Sequence, residues 1–167
     1  MLRHIFFTAL GILLVSSCGK LTVDNSVIDT LDVNRFAGKW YEIARYDHWF
    51  ERNMTHATAT YTLMTDGSLK VVNAGKKDGK DKDITGKAKL TDQAGLLRVS
   101  FFGPFYSDYR ILLLGAGYEY TLIGGSTDNY LWILSRQPAL TPAQKTLITA
   151  EAQRRGYDLQ KLIWVEQ

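Results

Sequence analysis

Between residues 39 and 136, apolar and polar residues alternate in short runs, and turn-forming residues separate the runs. The runs cover 40–45, 57–63, 69–74, 84–90, 96–101, 109–114, 118–123 and 130–134, with Asp66-Gly67, Asp78-Gly79, Ala94-Gly95, Gly115-Ala116-Gly117 and Gly124-Gly125 between them. Eight runs at this spacing predict an all-β domain, either a closed antiparallel sheet or a sandwich. No periodic segment of helix length interrupts them, which argues against a βαβ fold. Alternation also predicts faces, because successive side chains of a strand point to opposite sides. In the second run Ala57, Ala59, Tyr61 and Leu63 share one face, while Thr58, Thr60 and Thr62 share the other. The same rule turns Trp40, Glu42 and Ala44 inward on the first run, and Tyr130, Trp132 and Leu134 inward on the last.

The inward set is rich in small residues. Ala57, Ala59, Gly86 and Ala88 would leave space that a filled core does not need. Across all strands the rule selects Ala59, Tyr61, Val71, Asn73, Val99, Phe101, Tyr109, Tyr130 and Trp132 as candidate lining of a cavity. This mixture of apolar, aromatic and a few polar groups suits an amphipathic small molecule. The loop at 46–53 would sit at the open end, where Trp49 and Phe50 could rim the mouth and Arg52 could meet an anionic head group. Glu42 needs a partner if it is inside, since an unpaired buried carboxylate is costly. An internal Arg or Tyr, trapped water, or the polar end of a ligand would each serve.

Leu131 and Ile133 are apolar on the outer face of the last run, so another element should cover them. Thr141-Pro142-Ala143-Gln144 has the marks of a helix start: a capping Thr, Pro at the first helical position and Gln to complete a capping box. Leu147 and Ile148 are expected on its packing side. Leu162-Ile163-Trp164-Val165 reads as a ninth, short strand.

The N-terminus has a different pattern. A short basic start, Met1-Leu2-Arg3-His4, precedes an apolar run and then Ser16-Ser17-Cys18, which describes a secretory signal too short to span a bilayer. Residues 1–17 are expected to be the signal, 18–31 a lipidated N-terminus and polar tether, and 32–167 the folded domain. Cys18 is the chain's single cysteine, so its loss to lipid leaves no thiol for a disulfide, metal or nucleophile. The net charge of +3 is too small to argue for nucleic acid. The Lys-rich stretch 76–83 alternates in sign and reads as a solvated hairpin loop. Of the three His, His4 falls in the signal and His48 and His56 have no metal-type spacing with any Cys. No nucleophile or phosphate-loop motif occurs, so no catalytic residue, metal or cofactor is assigned.

Val15-Ser16-Ser17-Cys18 resembles the lipobox of bacterial lipoproteins, in which the Cys is lipidated and becomes the first residue of the mature chain. Gly19 in the second position, by that resemblance, implies the outer membrane rather than the inner one, with the domain facing the periplasm. Gly38-Lys39-Trp40-Tyr41-Glu42-Ile43-Ala44-Arg45 resembles the G-x-W signature of lipocalins in its bacterial form. Leu131-Trp132-Ile133-Leu134-Ser135-Arg136, Ser100-Phe101-Phe102-Gly103-Pro104-Phe105-Tyr106 and Leu162-Ile163-Trp164-Val165 resemble further segments of that group, in the same order. Gly115-Ala116-Gly117 stands where the family's T-D-Y segment is expected. The resemblance implies an eight-stranded up-and-down lipocalin barrel with a C-terminal helix and a ninth strand. It also implies structural roles for Gly38, Trp40 and Arg136, with Trp40 plugging the closed end and Arg136 stacked across it.

The function that resemblance implies is binding, storage or transport of fatty acids or lysophospholipids at the cell envelope, without catalysis. The partners would be the small lipophilic ligand and the membrane, reached through Cys18. Some relatives pair as homodimers, and no residue here establishes pairing. Two other classes stay open on the sequence: an interaction protein with a filled barrel, and a lipid-modifying enzyme. A haem carrier would need His48 or His56 to reach the cavity.

Overall fold

The computed structural model describes residues 22–167, so Cys18 and the signal lie outside the described residues. A short helix, α1 (Val33–Phe36), leads into β1 (Gly38–Arg45), followed by β2 (Met54–Leu63), β3 (Leu69–Lys77), β4 (Lys80–Leu90), β5 (Leu96–Phe102), β6 (Phe105–Leu114), β7 (Tyr120–Gly124) and β8 (Leu131–Ser135). Helix α2 (Pro142–Arg154), one 3₁₀ turn and β9 (Ile163–Trp164) complete the chain. Neighbouring strands are antiparallel, and β1 pairs with both β8 and β2. The eight strands therefore close into a barrel, and β9 adds to the outside of β1 beside Ala44 and Arg45. The loops β1–β2, β3–β4, β5–β6 and β7–β8 gather at one end.

Two apolar layers hold the barrel. Inside, Phe36, Trp40, Tyr61, Leu69, Leu97, Ile111 and Ile123 fill the end opposite those loops. Outside, Ile148 and Ala152 of α2 cover Leu131 and Ile133 together with Ile43, Ala44, Leu112 and Leu122. The cover expected for the outer face of β8 is therefore α2. Ile148 is buried, but Leu147 is 59% exposed and turns away from the sheet, contrary to expectation. Thr141 caps the helix by accepting from the Gln144 amide at 3.2 Å, and the Gln144 side chain accepts from the Thr141 amide at 2.9 Å. Thr141→Ala removes one half of this reciprocal cap. It should cost about 1 kcal/mol and lower the melting temperature by roughly 2–4 °C, as read by thermal unfolding.

Several strands run longer than alternation suggested. The Lys-rich stretch is not a loop: β3 and β4 pair as far as Lys77 and Lys80, leaving Asp78 and Gly79 as the turn. Nothing in the alternation of apolar and polar residues marks helix α1. Asp32 starts it by accepting from the amides of Asn34 and Arg35, and it places Phe36 under the barrel floor. The tether expected over 18–31 is docked from Thr22 onward. Val23 packs in the outer layer, the Asp24 amide donates to the Arg155 carbonyl at 2.8 Å, and the Ile28 amide donates to the Ile111 carbonyl at 2.9 Å.

The filled end is locked by Arg136. Its guanidinium lies 3.8 Å from the centroid of the Trp40 ring. Its Nη1 donates to the carbonyl of Lys39, and its Nη2 to those of Arg35, Phe36 and Ala37. Gly38 has φ +95°, and a Cβ there would stand 3.3 Å from Arg136 Nη1. Both the backbone conformation and the approach of the guanidinium favour glycine.

Candidate functional site: a cup open at the loop end

Above the filled floor the barrel holds a cavity of about 620 Å³. The structure brings all nine side chains selected by alternation to its wall. At its base the Tyr61 and Tyr109 hydroxyls meet at 2.7 Å. Burial first of all raises the pKa of both phenols, so both stay neutral. Asn73 Oδ1 is buried without a protein partner and can accept from a ligand. The small residue Gly86 does not add free space. A Cβ there would lie 2.6 Å from the Phe101 ring, so the missing side chain makes room for an aromatic wall.

The polar side of the site centres on a residue that alternation places outside. The β1 register shifts between Glu42 and Ala44. This bulge sends Ala44 into the outer apolar layer, contrary to the expected inward position, and turns Arg45 into the barrel. The C-terminal tail satisfies the distorted backbone: the Val165 amide donates to the Ile43 carbonyl at 2.9 Å, and Gln167 Nε2 to the Glu42 carbonyl at 2.6 Å.

Inside, Arg45 Nη1 donates to Glu42 Oε1 at 2.7 Å, and Nη2 to the Glu51 carbonyl at 2.7 Å. Trp132 Nε1 donates to Glu51 Oε2 at 3.1 Å, tying the β1–β2 loop to the neighbouring strand β8. The internal Arg that Glu42 required is therefore Arg45. The sequence carried that signal in the buried carboxylate, but the bulge hid which cation answers it. Glu51 gave no signal of its own, since it lies in a loop.

Two carboxyl groups face one guanidinium here, and burial sets their protonation. Desolvation, reinforced by the negative charge of Glu51 and opposed by Arg45, pushes Glu42 up to about 8. Burial also raises Glu51, against its bonds to Trp132 and its attraction to Arg45. The pair therefore retains a proton at neutral pH. His48 stacks against Phe50, Tyr130 and Trp132, with ring centroids 5.3, 5.0 and 4.7 Å away. Burial, with Arg45 adding to it, pulls it down to about 4, so it is neutral at pH 7.

These shifts fix the sign of a pH response. A carboxyl whose folded pKa is raised gives stability that is complete below its unfolded pKa, near 4.5, and that is lost as pH rises toward 8. His48 works in the opposite direction, with stability lost as pH falls from 6.5 toward 4. Between about pH 4.5 and 6.5 the two contributions oppose each other, so urea unfolding of the wild type should show its clear fall in stability between about pH 6.5 and pH 8. Glu42→Gln, which cannot ionise, should flatten that limb and leave the acid limb in place.

Trp49, Phe50 and Arg52 are expected at the rim of the mouth, and the structure separates them. Phe50 lines the mouth. Trp49 is 77% exposed and packs edge-on against Phe50, outside the cavity. Arg52 is bound to Asp47 and lies in a separate outer groove with Ile163 and Trp164. It does not reach the cavity, where the cations on the wall are Lys77 and Lys82, while Arg45 is buried beside Glu42 and borders the same outer groove. Neither His48 nor His56 lines the cavity, so the His ligand that the haem-carrier variant required is not there. Among the described residues no group of His, Cys, Asp or Glu could hold a metal ion.

Residues 31–167 match the family model described as a lipocalin-like domain. The outer membrane lipoprotein Blc of Escherichia coli strain K12 is 42% identical over 160 residues, covering 92% of this chain and 90% of its own length. The protein of the same name from Vibrio cholerae is 36% identical and is covered over 99% of both chains. Among solved structures, insecticyanin from the tobacco hornworm Manduca sexta superposes with a TM-score of 0.70 at 20% identity, covering 90% of this chain and 86% of its own. That last likeness speaks to the fold alone.

Proposed function

Since the chain belongs to the lipocalin family, we propose that it is an outer-membrane lipoprotein that carries a single-chain lipid, a fatty acid or lysophospholipid, in its barrel. The observation that carries this reading is the cup: an apolar cavity of about 620 Å³ with a buried Arg45–Glu42–Glu51 cluster at one side. The volume falls in the range of roughly 300–1,000 Å³ usual for small-molecule sites. Val71, Val99 and Phe101 would hold the acyl chain, while Tyr61, Tyr109, Asn73 and Glu51 offer hydrogen bonds to the polar end. Each buried methylene contributes about 0.8 kcal/mol.

The membrane end of the proposal is Cys18, lipidated as its lipobox resemblance implies. The relatives' name, outer membrane lipoprotein, supports that location. The role is storage or delivery of lipid at the envelope, with the domain on the periplasmic side and no reaction performed on the cargo. Native mass spectrometry of the protein purified from a Gram-negative host tests it. The expected result is a barrel carrying one lipid whose extracted mass is that of a fatty acid or lysophospholipid. A protein that is empty and takes up neither lipid when offered would overturn the reading.

A further inference from the structure

We propose that the cup has a second opening: a side door in the barrel wall between β1 and β2, closed by residues 163–167, through which the acyl chain of the cargo enters and leaves. The door rests on the lipid-carrier reading above, since it needs a cargo that occupies the cup. Two independent features lead to it.

The first is a gap in the sheet. β3 and β4 pair without interruption from Leu69↔Ala88 to Lys77↔Lys80. β1 and β2 pair only from Gly38↔Tyr61 to Tyr41↔Thr58. Toward the mouth these two strands part, and residues 163–167 stand between them. On one side β9 pairs with Ala44 and Arg45, and the Val165 amide donates to the Ile43 carbonyl at 2.9 Å. On the other side the His56 amide donates to the Glu166 carbonyl at 2.6 Å. Gln167 Nε2 bridges both strands by donating to the carbonyls of Glu42 and Ala57. Little buried apolar surface backs these bonds: Ile163 and Trp164 are 42% and 43% exposed, and the exposed Lys145 lies 3.8 Å from the Trp164 ring as a surface contact. Leu162, just before them, is buried in the outer layer and anchors the segment. Such a strap, held by a few backbone bonds beyond a fixed anchor, opens at less cost than the whole fold. The β2 edge that it meets is strained. Asn53 and His56 have φ of +62° and +52°, a region that residues other than glycine seldom occupy.

The second feature is what lies on either side of the gap. An outer groove of about 360 Å³ is lined by Arg45, Met54, Thr55, Ile163, Trp164 and Val165, among others. Met54 also lines the cup. One side chain therefore borders both spaces, and it is a flexible thioether that adapts its shape readily. The seam suits the passage of a hydrocarbon. At the mouth Lys77, Lys82, Asp83 and Asp108 stand among the aromatic residues, whereas Met54, Ile163, Trp164 and Val165 present apolar groups along the seam. An acyl chain can slip sideways past them while its polar head stays in water beside the exposed Arg52 and Asn53.

The test uses the full lipidated chain on phosphatidylcholine vesicles. His56→Cys combined with Glu166→Cys staples the strap to β2. Both residues are exposed, and the backbone bond between them brings their Cα atoms within the span of about 4.4–6.8 Å that a disulfide covers. The lipid on Cys18 leaves these two as the only free thiols. Uptake and release of anthroyloxy-stearic acid are followed by energy transfer from tryptophan, counting only the signal that unlabelled fatty acid displaces. The oxidised protein should load and unload on the order of tenfold more slowly than the wild type, because a lid that must open sets both rates. Its affinity should be unchanged, since both rates fall together, and reducing agent should restore them. Equal rates in the oxidised and reduced protein overturn the door and assign the traffic to the mouth. A protein that takes up no fatty acid in either state overturns the lipid-carrier reading itself. Should the stapled protein not fold, hydrogen exchange of the wild type decides. The Val165 and His56 amides should exchange well before those of β7, and exchange of all of them at one global rate overturns the door.

Discussion

Val99→Trp should weaken binding of a long-chain fatty acid about 30-fold while leaving the barrel folded. Val99 lies on β5 opposite Ala88 and Ser107, and its side chain is half-buried on the cavity wall. An indole at this point takes the space of two or three methylenes of a bound chain. At about 0.8 kcal/mol each, their loss amounts to roughly 2 kcal/mol, which corresponds to about 30-fold in Kd. The side chain grows into open volume and not into the filled floor, so the overpacking cost seen in close-packed cores is avoided. Titration with a fatty acid, together with a melting curve within a few degrees of the wild type, checks both halves. Equal affinity in the variant would place the acyl chain somewhere other than this cup.

Arg136→Ala should have the largest effect on stability and little direct effect on the ligand. One guanidinium gathers the carbonyls of Arg35, Phe36, Ala37 and Lys39 around α1 and the start of β1, and it also covers the Trp40 ring at 3.8 Å. Some of those carbonyls can turn to water, so the bonds are not lost at full value. The net loss should be about 3 kcal/mol from the bonds and the cation–π contact together, or roughly 6–12 °C in melting temperature. Arg136→Lys should recover only a small part, because a single ammonium cannot span carbonyls on both sides of the turn. Urea unfolding of the three proteins at one pH measures it.

The sequence made the wall of the cup legible for a physical reason. Each barrel strand has one face toward the interior and one toward solvent or α2, so a period of two carries the assignment. Ala59, Tyr61, Val71, Asn73 and Val99 follow from it directly, and the structure puts them around one cavity. Alternation fails where the backbone breaks step. At the β1 bulge alternation puts Ala44 inside and Arg45 outside, and the structure reverses both. Polar strand ends were equally hidden, since Lys76, Lys77 and Lys80 look like loop until their cross-strand partners are known. Leu147 and Ile148 are adjacent apolar residues, and only the position of α2 over β8 decides that Ile148 is the one buried. The docking of residues 22–31 had no periodic signal, because it depends on Arg155, which reaches the carbonyls of Asp24 and Ser26 from the far end of the chain.

Arg45, Glu42 and Glu51 bear on ligand choice because they form a buried ionisable cluster whose member Glu51 lines the cup. Their shared proton makes the cluster adaptable: an anionic ligand can be met with the proton in place, and a zwitterionic one with it released. The stability change between about pH 6.5 and pH 8 and the affinity change over the same interval should therefore move together, and Glu42→Gln should uncouple them.

The most direct measurement is titration of the delipidated protein with a fluorescent fatty acid, followed by energy transfer from the tryptophans to the bound probe. The account predicts saturation at one molecule per barrel, a Kd on the order of micromolar, and full displacement by an unlabelled fatty acid or by lysophospholipid. A signal that never saturates, or a probe that neither lipid displaces, would contradict the cup as a lipid site.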